Sequence, residues 1–168
     1  MNRTLQLLSC ASLIAGIGLQ GPNLAKESSP RASQQDASIV GTWRLLSFED
    51  WDKAGRRSVP YGEHPRGYIV FDPTGHVTIQ IMRMPALPPP ASGDEDLATP
   101  GEKQAAYDAY AAYFGTYTVR DGQFVTHVEG SLRPTYTNTD QPRPFTLTGD
   151  RLIIGDQKRW KRVLERVR

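Results

Sequence analysis

The feature that most constrains this fold is the alternation of apolar and polar residues in short segments between Ile39 and the C-terminus. Alternation with a period of two places one face of a strand against a core and the other face against solvent. About eight such segments are rich in β-branched or aromatic residues. They cover residues 43–49, 68–71, 77–82, 116–119, 124–129, 145–147, 152–154 and 160–167. The sequence therefore predicts a mainly β fold.

The connectors between these segments are short and carry residues that suit tight turns. Asp-Pro-Thr-Gly at 72–75 suits a type I turn, while Asp121-Gly122 and Thr-Gly-Asp at 148–150 suit hairpins. Short connections make neighbouring strands antiparallel. Because closure removes the exposed edges of such a sheet, we predict an all-β, antiparallel up-and-down β-barrel of about eight strands, with a β-sandwich as the alternative. A barrel of this size has room for side chains or for one small ligand.

One helix is predicted between the strands. Thr99 and Glu102 form a capping box with Pro100 at the first helical position, and Gly115 can end the helix. An apolar stripe follows at helical spacing and consists of Ala106, Tyr107, Tyr110, Tyr113 and Phe114. This stripe either packs on the sheet or covers an opening of the barrel as a lid.

The segment before this helix, residues 83–90, is rich in proline and apolar side chains. A connection between strands is normally shorter and more polar, so we expect this segment near the mouth of the barrel. Met82 and Met84 have adaptable side chains that suit an irregular apolar ligand or fill gaps in a core.

Residues 1–25 are predicted to be a secretory signal peptide. Their only charge is Arg3, and the apolar stretch at 5–19 is too short to span a bilayer. We expect export to the periplasm or the medium, with Ala25 acceptable at the cleavage site. The alternatives are a lipid anchor on Cys10 and an uncleaved tether. Residues 26–38 suit a flexible leader, which leaves 39–168 as one domain.

Composition excludes several classes of function. The net charge is +2, and the basic residues are scattered except for a cluster at 158–168 that suits a solvated strand face, so nucleic acid is not an expected partner. The one cysteine, Cys10, cannot form an intrachain disulfide. His64, His76 and His127 lack metal-ligand spacing, so neither a metal nor a cofactor is predicted. We expect no membrane insertion after processing, and nothing indicates an oligomeric state.

Several short motifs carry a family resemblance over residues 39 to 168. Gly-Thr-Trp-Arg-Leu at 41–45 is similar to the opening of lipocalins, in which the tryptophan sits at the closed end of the barrel. Further motifs resemble the bacterial and fungal lipocalin-like domain family, most of whose members have no assigned activity: GYIVFDPTG at 67–75, ASGD at 91–94, YFGTY at 113–117, HVEGS at 127–131, and Pro134, Gln141 and Arg143. Thr126 and Tyr136 stand where that family tends to carry a second His and a Trp. The resemblance implies a small antiparallel barrel with an internal cavity.

His127, Glu129 and Ser131 form the most suggestive polar cluster, because a spacing of two places them on one side of a strand. A carboxylate inside a barrel requires a partner. The family resemblance favours an interior position, and we predict that His127 and Glu129 point into the barrel beside Tyr117 or Arg143. A histidine and a carboxylate in such a place can orient a polar group or move a proton, and a purely structural network is the alternative.

The turn at Asp121-Gly122 decides which side this cluster occupies. A two-residue loop pairs Arg120 with Gln123 and turns the cluster to solvent. A three-residue loop pairs Arg120 with Phe124 and turns it inward, since one residue of register inverts every side chain.

Three classes of function are consistent with the sequence. The first is binding of a small hydrophobic molecule inside the barrel, for carriage or sequestration. The second is a barrel enzyme of the isomerase, cyclase or lyase type, with His127 and Glu129 as catalytic residues. The third is an envelope interaction protein with a filled barrel. The predicted ligand-binding residues are Tyr68, Met82, Met84, Tyr110, Tyr113, Tyr117, His127, Glu129, Tyr136 and Arg143.

Overall fold

A computed structural model describes residues 39–168, so the predicted signal peptide and leader lie outside the described residues. The strands are β1 (Gly41–Trp51), β2 (Arg57–Ser58), β3 (Arg66–Phe71), β4 (His76–Met82), β5 (Tyr110–Arg120), β6 (Gln123–Ser131), β7 (Asp140–Thr148), β8 (Arg151–Ile154) and β9 (Trp160–Arg166). Helix α1 (Pro100–Asp108) precedes β5, and a short 3-10 helix (Pro134–Tyr136) precedes β7.

The strands form one closed antiparallel sheet. Consecutive strands from β3 to β9 pair as neighbours, β1 pairs with β3, and β1 also pairs with β9, which closes the barrel. Eight strands make the barrel, and the two-residue β2 extends it beside the end of β1. The predicted barrel of about eight strands is confirmed, and the sandwich alternative is excluded because the first and last strands are hydrogen-bonded.

The core begins at the closed end of the barrel, around Trp43. This side chain is fully buried, and its indole Nε1 donates a hydrogen bond to the carbonyl oxygen of Ile39 over 2.8 Å. The guanidinium of Arg166 lies over the indole, 4.1 Å from the ring centroid, and its Nη1 donates to the carbonyl oxygen of Val40. Apolar side chains from β3, β4, β8 and β9 fill the space above it: Ile69, Phe71, Val77, Ile79, Leu152, Ile154 and Leu164.

The turn between β5 and β6 has two residues. Asp121 and Gly122 both have positive φ, 51° and 73°, which is the requirement of a type I′ turn, and Arg120 pairs with Gln123. Val119 therefore lies opposite Phe124 on the inner face of the barrel. Thr126 and Val128 share this inner face with Phe124, whereas His127 and Glu129 point outward.

Helix α1 begins as predicted and ends earlier than predicted. The side chain of Thr99 accepts a hydrogen bond from the backbone N–H of Glu102, and the Glu102 carboxylate accepts one from the backbone N–H of Thr99, which completes the capping box. The helix stops at Asp108, however, and β5 starts at Tyr110. The predicted end at Gly115 is wrong, because the aromatic residues from Tyr110 onward alternate between the faces of a strand paired with β4.

No helix within residues 39–168 combines the length and the apolar character that crossing a bilayer requires.

Candidate functional site

A cavity of about 740 Å³ opens at the end of the barrel where β4 ends and β5 begins. We call this the open end. The cavity is lined mainly by aromatic and aliphatic side chains, with four arginines and two aspartates among them. The lining residues include Phe48, Asp50, Tyr61, Ala111, Tyr113, Phe124, Arg133, Tyr136, Arg143, Asp156, Trp160 and Arg162.

An irregularity in β1 brings Phe48 and Asp50 to the cavity. The register of β1 against β9 shifts between Leu45 and Ser47, so that Leu45 lies opposite Leu164 and Phe48 lies opposite Arg162. Such a bulge adds one residue and exchanges the faces of the strand beyond it. Even-numbered residues therefore point inward after the bulge, whereas odd-numbered residues do so before it.

Aromatic rings form two sides of the cavity. Phe48 meets Tyr61 edge to face, with ring centroids 4.7 Å apart. Tyr61 comes from the loop before β3 and is nearly fully buried. On the other side, Tyr113 meets Tyr136 with centroids 5.8 Å apart. Arrangements of this kind stabilise the rings beyond their buried area and hold them in place.

The charged part of the cavity centres on Arg162. Its Nη1 lies 2.8 Å from Oδ1 of Asp50, and its guanidinium carbon lies 3.2 Å from the centroid of the Phe48 ring. Only 15% of the Arg162 side chain is exposed. Arg143 approaches from β7, and both guanidiniums lie near the ring of Trp160, at 5.6 Å for Arg143 and 5.3 Å for Arg162.

Burial and neighbouring charges shift several proton affinities in this cavity. Burial lowers the pKa of Arg162, and the positive charge of Arg143 lowers it further, while Asp50 acts in the opposite direction. Burial raises the pKa of the Tyr113 hydroxyl. A hydrogen bond to Tyr61 raises the pKa of Arg133. Arginine side chains are cationic donors at neutral pH.

Three of the predicted ligand-binding residues line the cavity, namely Tyr113, Tyr136 and Arg143. Tyr117 also belongs to the barrel core but packs on Phe71 at a ring-centroid distance of 5.0 Å, outside the cavity lining.

The other tyrosines and the methionines that were predicted to bind the ligand lie away from the cavity lining. Tyr68 is half exposed on the outer face of β3. The Tyr110 hydroxyl donates to the side chain of Gln80, which is also exposed. Neither Met82 nor Met84 lines the cavity, and within the described chain no residue of 83–108 does. The proline-rich segment and helix α1 are therefore not part of the cavity wall, although the backbone N–H of Met84 donates a hydrogen bond to the carbonyl oxygen of Tyr61 at the open end.

The prediction that His127 and Glu129 point into the barrel is wrong. The two-residue turn places Thr126 opposite Tyr117 and His127 opposite Thr116, so that Thr126 is buried and His127 is on the outer face. Nδ1 of His127 lies 2.9 Å from Oδ1 of Asp140, and more than half of each side chain is exposed. Glu129 is exposed on the same face. Proton transfer within the cavity by this pair is excluded by that orientation.

Much of the cavity wall consists of residues that the sequence pattern does not single out. Phe48 and Asp50 depend on the bulge in β1, and Tyr61 comes from a loop that carries no alternation signal. Arg162 belongs to the basic C-terminal cluster, for which a solvated strand face was expected. Apolar residues close to Arg162 in sequence could have indicated a strand with one buried face. A strand that closes a barrel must present one face to the interior.

The described residues contain no group of three or more His, Cys, Asp or Glu side chains that could hold a metal ion. What the cavity offers instead is apolar surface with a few convergent polar groups, which is the usual character of a small-molecule site. The guanidiniums can donate paired hydrogen bonds to an acceptor, and the tyrosine hydroxyls can donate or accept.

A closed eight-stranded antiparallel barrel with a cavity at one end defines the class of the protein as a lipocalin-like barrel. Residues 40–166 match the model of a family described as a lipocalin-like domain. The chain belongs to the lipocalin-like domain family, and the resemblance inferred from the sequence is confirmed.

Comparison with curated proteins finds no match. Among solved structures, the chain is similar to an uncharacterized protein from Bacteroides eggerthii DSM 20697, with a TM-score of 0.41 and 14% sequence identity. The similarity covers 76% of this chain and 98% of that chain. At this TM-score the likeness adds nothing to the assignment.

Proposed function

We propose that the protein binds one small, largely hydrophobic molecule in the cavity at the open end of the barrel. The cavity carries this proposal: its volume of about 740 Å³ lies within the range of about 300–1,000 Å³ that is usual for small-molecule sites. A filled barrel would leave no such space, so the cavity favours ligand binding over an envelope interaction protein with a filled barrel.

Apolar burial would supply most of the affinity. The lining includes seven aromatic side chains together with isoleucines from β3, β4 and β8. Transfer of an apolar ligand surface from water to such a wall contributes about 25 cal/mol for each Å² buried. The edge-to-face pair of Phe48 and Tyr61 would hold one side of the cavity ready for the ligand, which lowers the cost of ordering on binding.

The test is a fluorescence titration of the full chain with the neutral probe N-phenyl-1-naphthylamine. Ala111 lines the cavity, so Ala111→Phe fills part of it, and we expect at least about a tenfold loss of probe affinity. Ala105→Phe, on the exposed surface of α1, adds the same side chain outside the cavity and should leave the affinity unchanged. Unchanged binding by a folded Ala111→Phe variant would overturn the proposal.

We also propose that the protein is exported and that binding takes place outside the cytoplasm. The support is the uncharged apolar stretch at 5–19 behind Arg3. The N-terminal residue of the protein expressed in its own source, together with the cell fraction that contains it, tests this. Full-length chain in the cytosol would contradict it.

A further inference from the structure

The arginines of the cavity outnumber the carboxylates that could neutralise them. Arg143 and Arg162 approach the same ring, that of Trp160, from β7 and β9. Burial lowers the pKa of Arg162, and the positive charge of Arg143 lowers it further. Two cations that converge in a partly enclosed apolar space cost free energy unless an anion lies between or beside them.

Asp50 neutralises only one of the two. Its Oδ1 is 2.8 Å from Nη1 of Arg162. Arg143, in contrast, donates to the carbonyl oxygen of Pro142 and to the side-chain amide oxygen of Gln141, both at 2.9 Å. None of its acceptors among residues 39–168 is a carboxylate.

The second aspartate of the cavity is already engaged elsewhere. Oδ1 of Asp156 accepts hydrogen bonds from the backbone N–H groups of Lys158, Arg159 and Trp160, at 2.9, 2.7 and 3.2 Å. These bonds hold the carboxylate in the turn between β8 and β9. Arg143 is therefore a cavity cation that pairs with no carboxylate among the described residues, and it is the one that shares the ring of Trp160 with Arg162.

We propose that the molecule bound in the cavity is an organic acid, with an apolar or aromatic body against the rings and one carboxylate or similar oxyanion paired with Arg143. This inference rests on the proposed binding function and specifies its ligand class. A guanidinium matches an oxyanion because its planar fork donates two parallel hydrogen bonds. The anion would also lie near Arg162 and so offset the repulsion between the two arginines.

Two probes that share a skeleton separate the acid from the apolar body. 8-Anilinonaphthalene-1-sulfonate carries a sulfonate, and N-phenyl-1-naphthylamine is the same ring system without it. We expect Arg143→Met to weaken binding of the sulfonate probe about tenfold or more, and to change binding of the neutral probe less than about twofold. Arg151→Met removes the same charge from an exposed position on β8, and it should leave both affinities unchanged.

A measurement on the unaltered protein makes the test independent of any variant's folding. 2-Naphthoate and 2-naphthol share a ring and differ in the acid group, and we expect naphthoate to displace the neutral probe at a concentration about tenfold lower. Equal potency of the two competitors, or equal losses of both probes in Arg143→Met, would overturn the organic-acid inference and leave the binding function standing. Failure of the unaltered protein to bind either probe would overturn the binding function itself.

Discussion

Asp50 and Arg162 face each other inside the barrel, with Oδ1 and Nη1 2.8 Å apart, although Asp50 lies near the end of β1 and Arg162 lies on the last strand. The pair joins the two strands whose contact closes the barrel. It is more enclosed than a surface ion pair, since 15% of the Arg162 side chain and 37% of the Asp50 side chain are exposed.

A double-mutant cycle measures what this pair contributes. We expect Asp50→Asn and Arg162→Met each to destabilise the fold, with a coupling free energy of about 1–2 kcal/mol, which lies between exposed and fully buried pairs. Urea denaturation of the two single variants and the double variant gives this value. The exposed pair of Arg57 and Glu63 is the control, and its coupling should be smaller. Additive effects at Asp50 and Arg162 would contradict the prediction.

Asp156 makes stability depend on pH at the turn between β8 and β9. Hydrogen bonds from backbone N–H groups, that of Arg159 foremost, hold the pKa of Asp156 below its usual range. A carboxylate with a lowered folded-state pKa stabilises the fold fully above the ordinary aspartate pKa of about 4, and this contribution is lost as the pH falls through the lowered value.

Asp156→Asn should therefore be less stable than the unaltered protein near neutral pH, and the difference should shrink as the solution is acidified below about pH 4. Urea midpoints between about pH 6 and about pH 3 record this trend. Asp96→Asn is a matched control, because the Asp96 carboxylate makes no hydrogen bond to any described residue. A stability difference at Asp156 that does not change with pH would exclude this role.

The strands were predictable because alternation reports which side of a sheet is buried. β3, β4 and β8 show it clearly, since Ile69, Val77, Ile79, Ile81 and Leu152 are all buried and their immediate neighbours in sequence are more exposed. Closure could also be expected, because a meander of this length has edges to cover. These inferences need only local pattern and short connectors.

The wall of the cavity was less predictable because it depends on register. The bulge between Leu45 and Ser47 arises from the pairing of β1 with β9, which are far apart in sequence. The turn at Asp121-Gly122 left two registers open, and an Asp-Gly pair favours the two-residue loop that the structure contains. The family resemblance favoured the interior placement of His127, and local turn chemistry was the better guide.

The outer position of His127 and Glu129 gives a prediction opposite to that for an interior pair. Glu129→Gln and His127→Ala should each change the free energy of unfolding by under about 0.5 kcal/mol, since neither side chain is buried. Binding of N-phenyl-1-naphthylamine should be unchanged in both. A destabilisation near the 3–5 kcal/mol that is typical of a broken buried pair would indicate that the cluster lies inside the barrel.

Arg166 closes the end of the barrel opposite the cavity, and its removal should lower stability without affecting binding. In Arg166→Met the methylene chain can still cover the Trp43 ring, but the cation over the indole and the hydrogen bond to the Val40 carbonyl oxygen are lost. We expect a cost of about 1–2 kcal/mol in chemical denaturation. Arg168→Met removes an equal charge from an exposed ion pair with Asp150 and should cost less. Equal effects of the two substitutions would show that Arg166 acts through surface charge and not through its contact with Trp43.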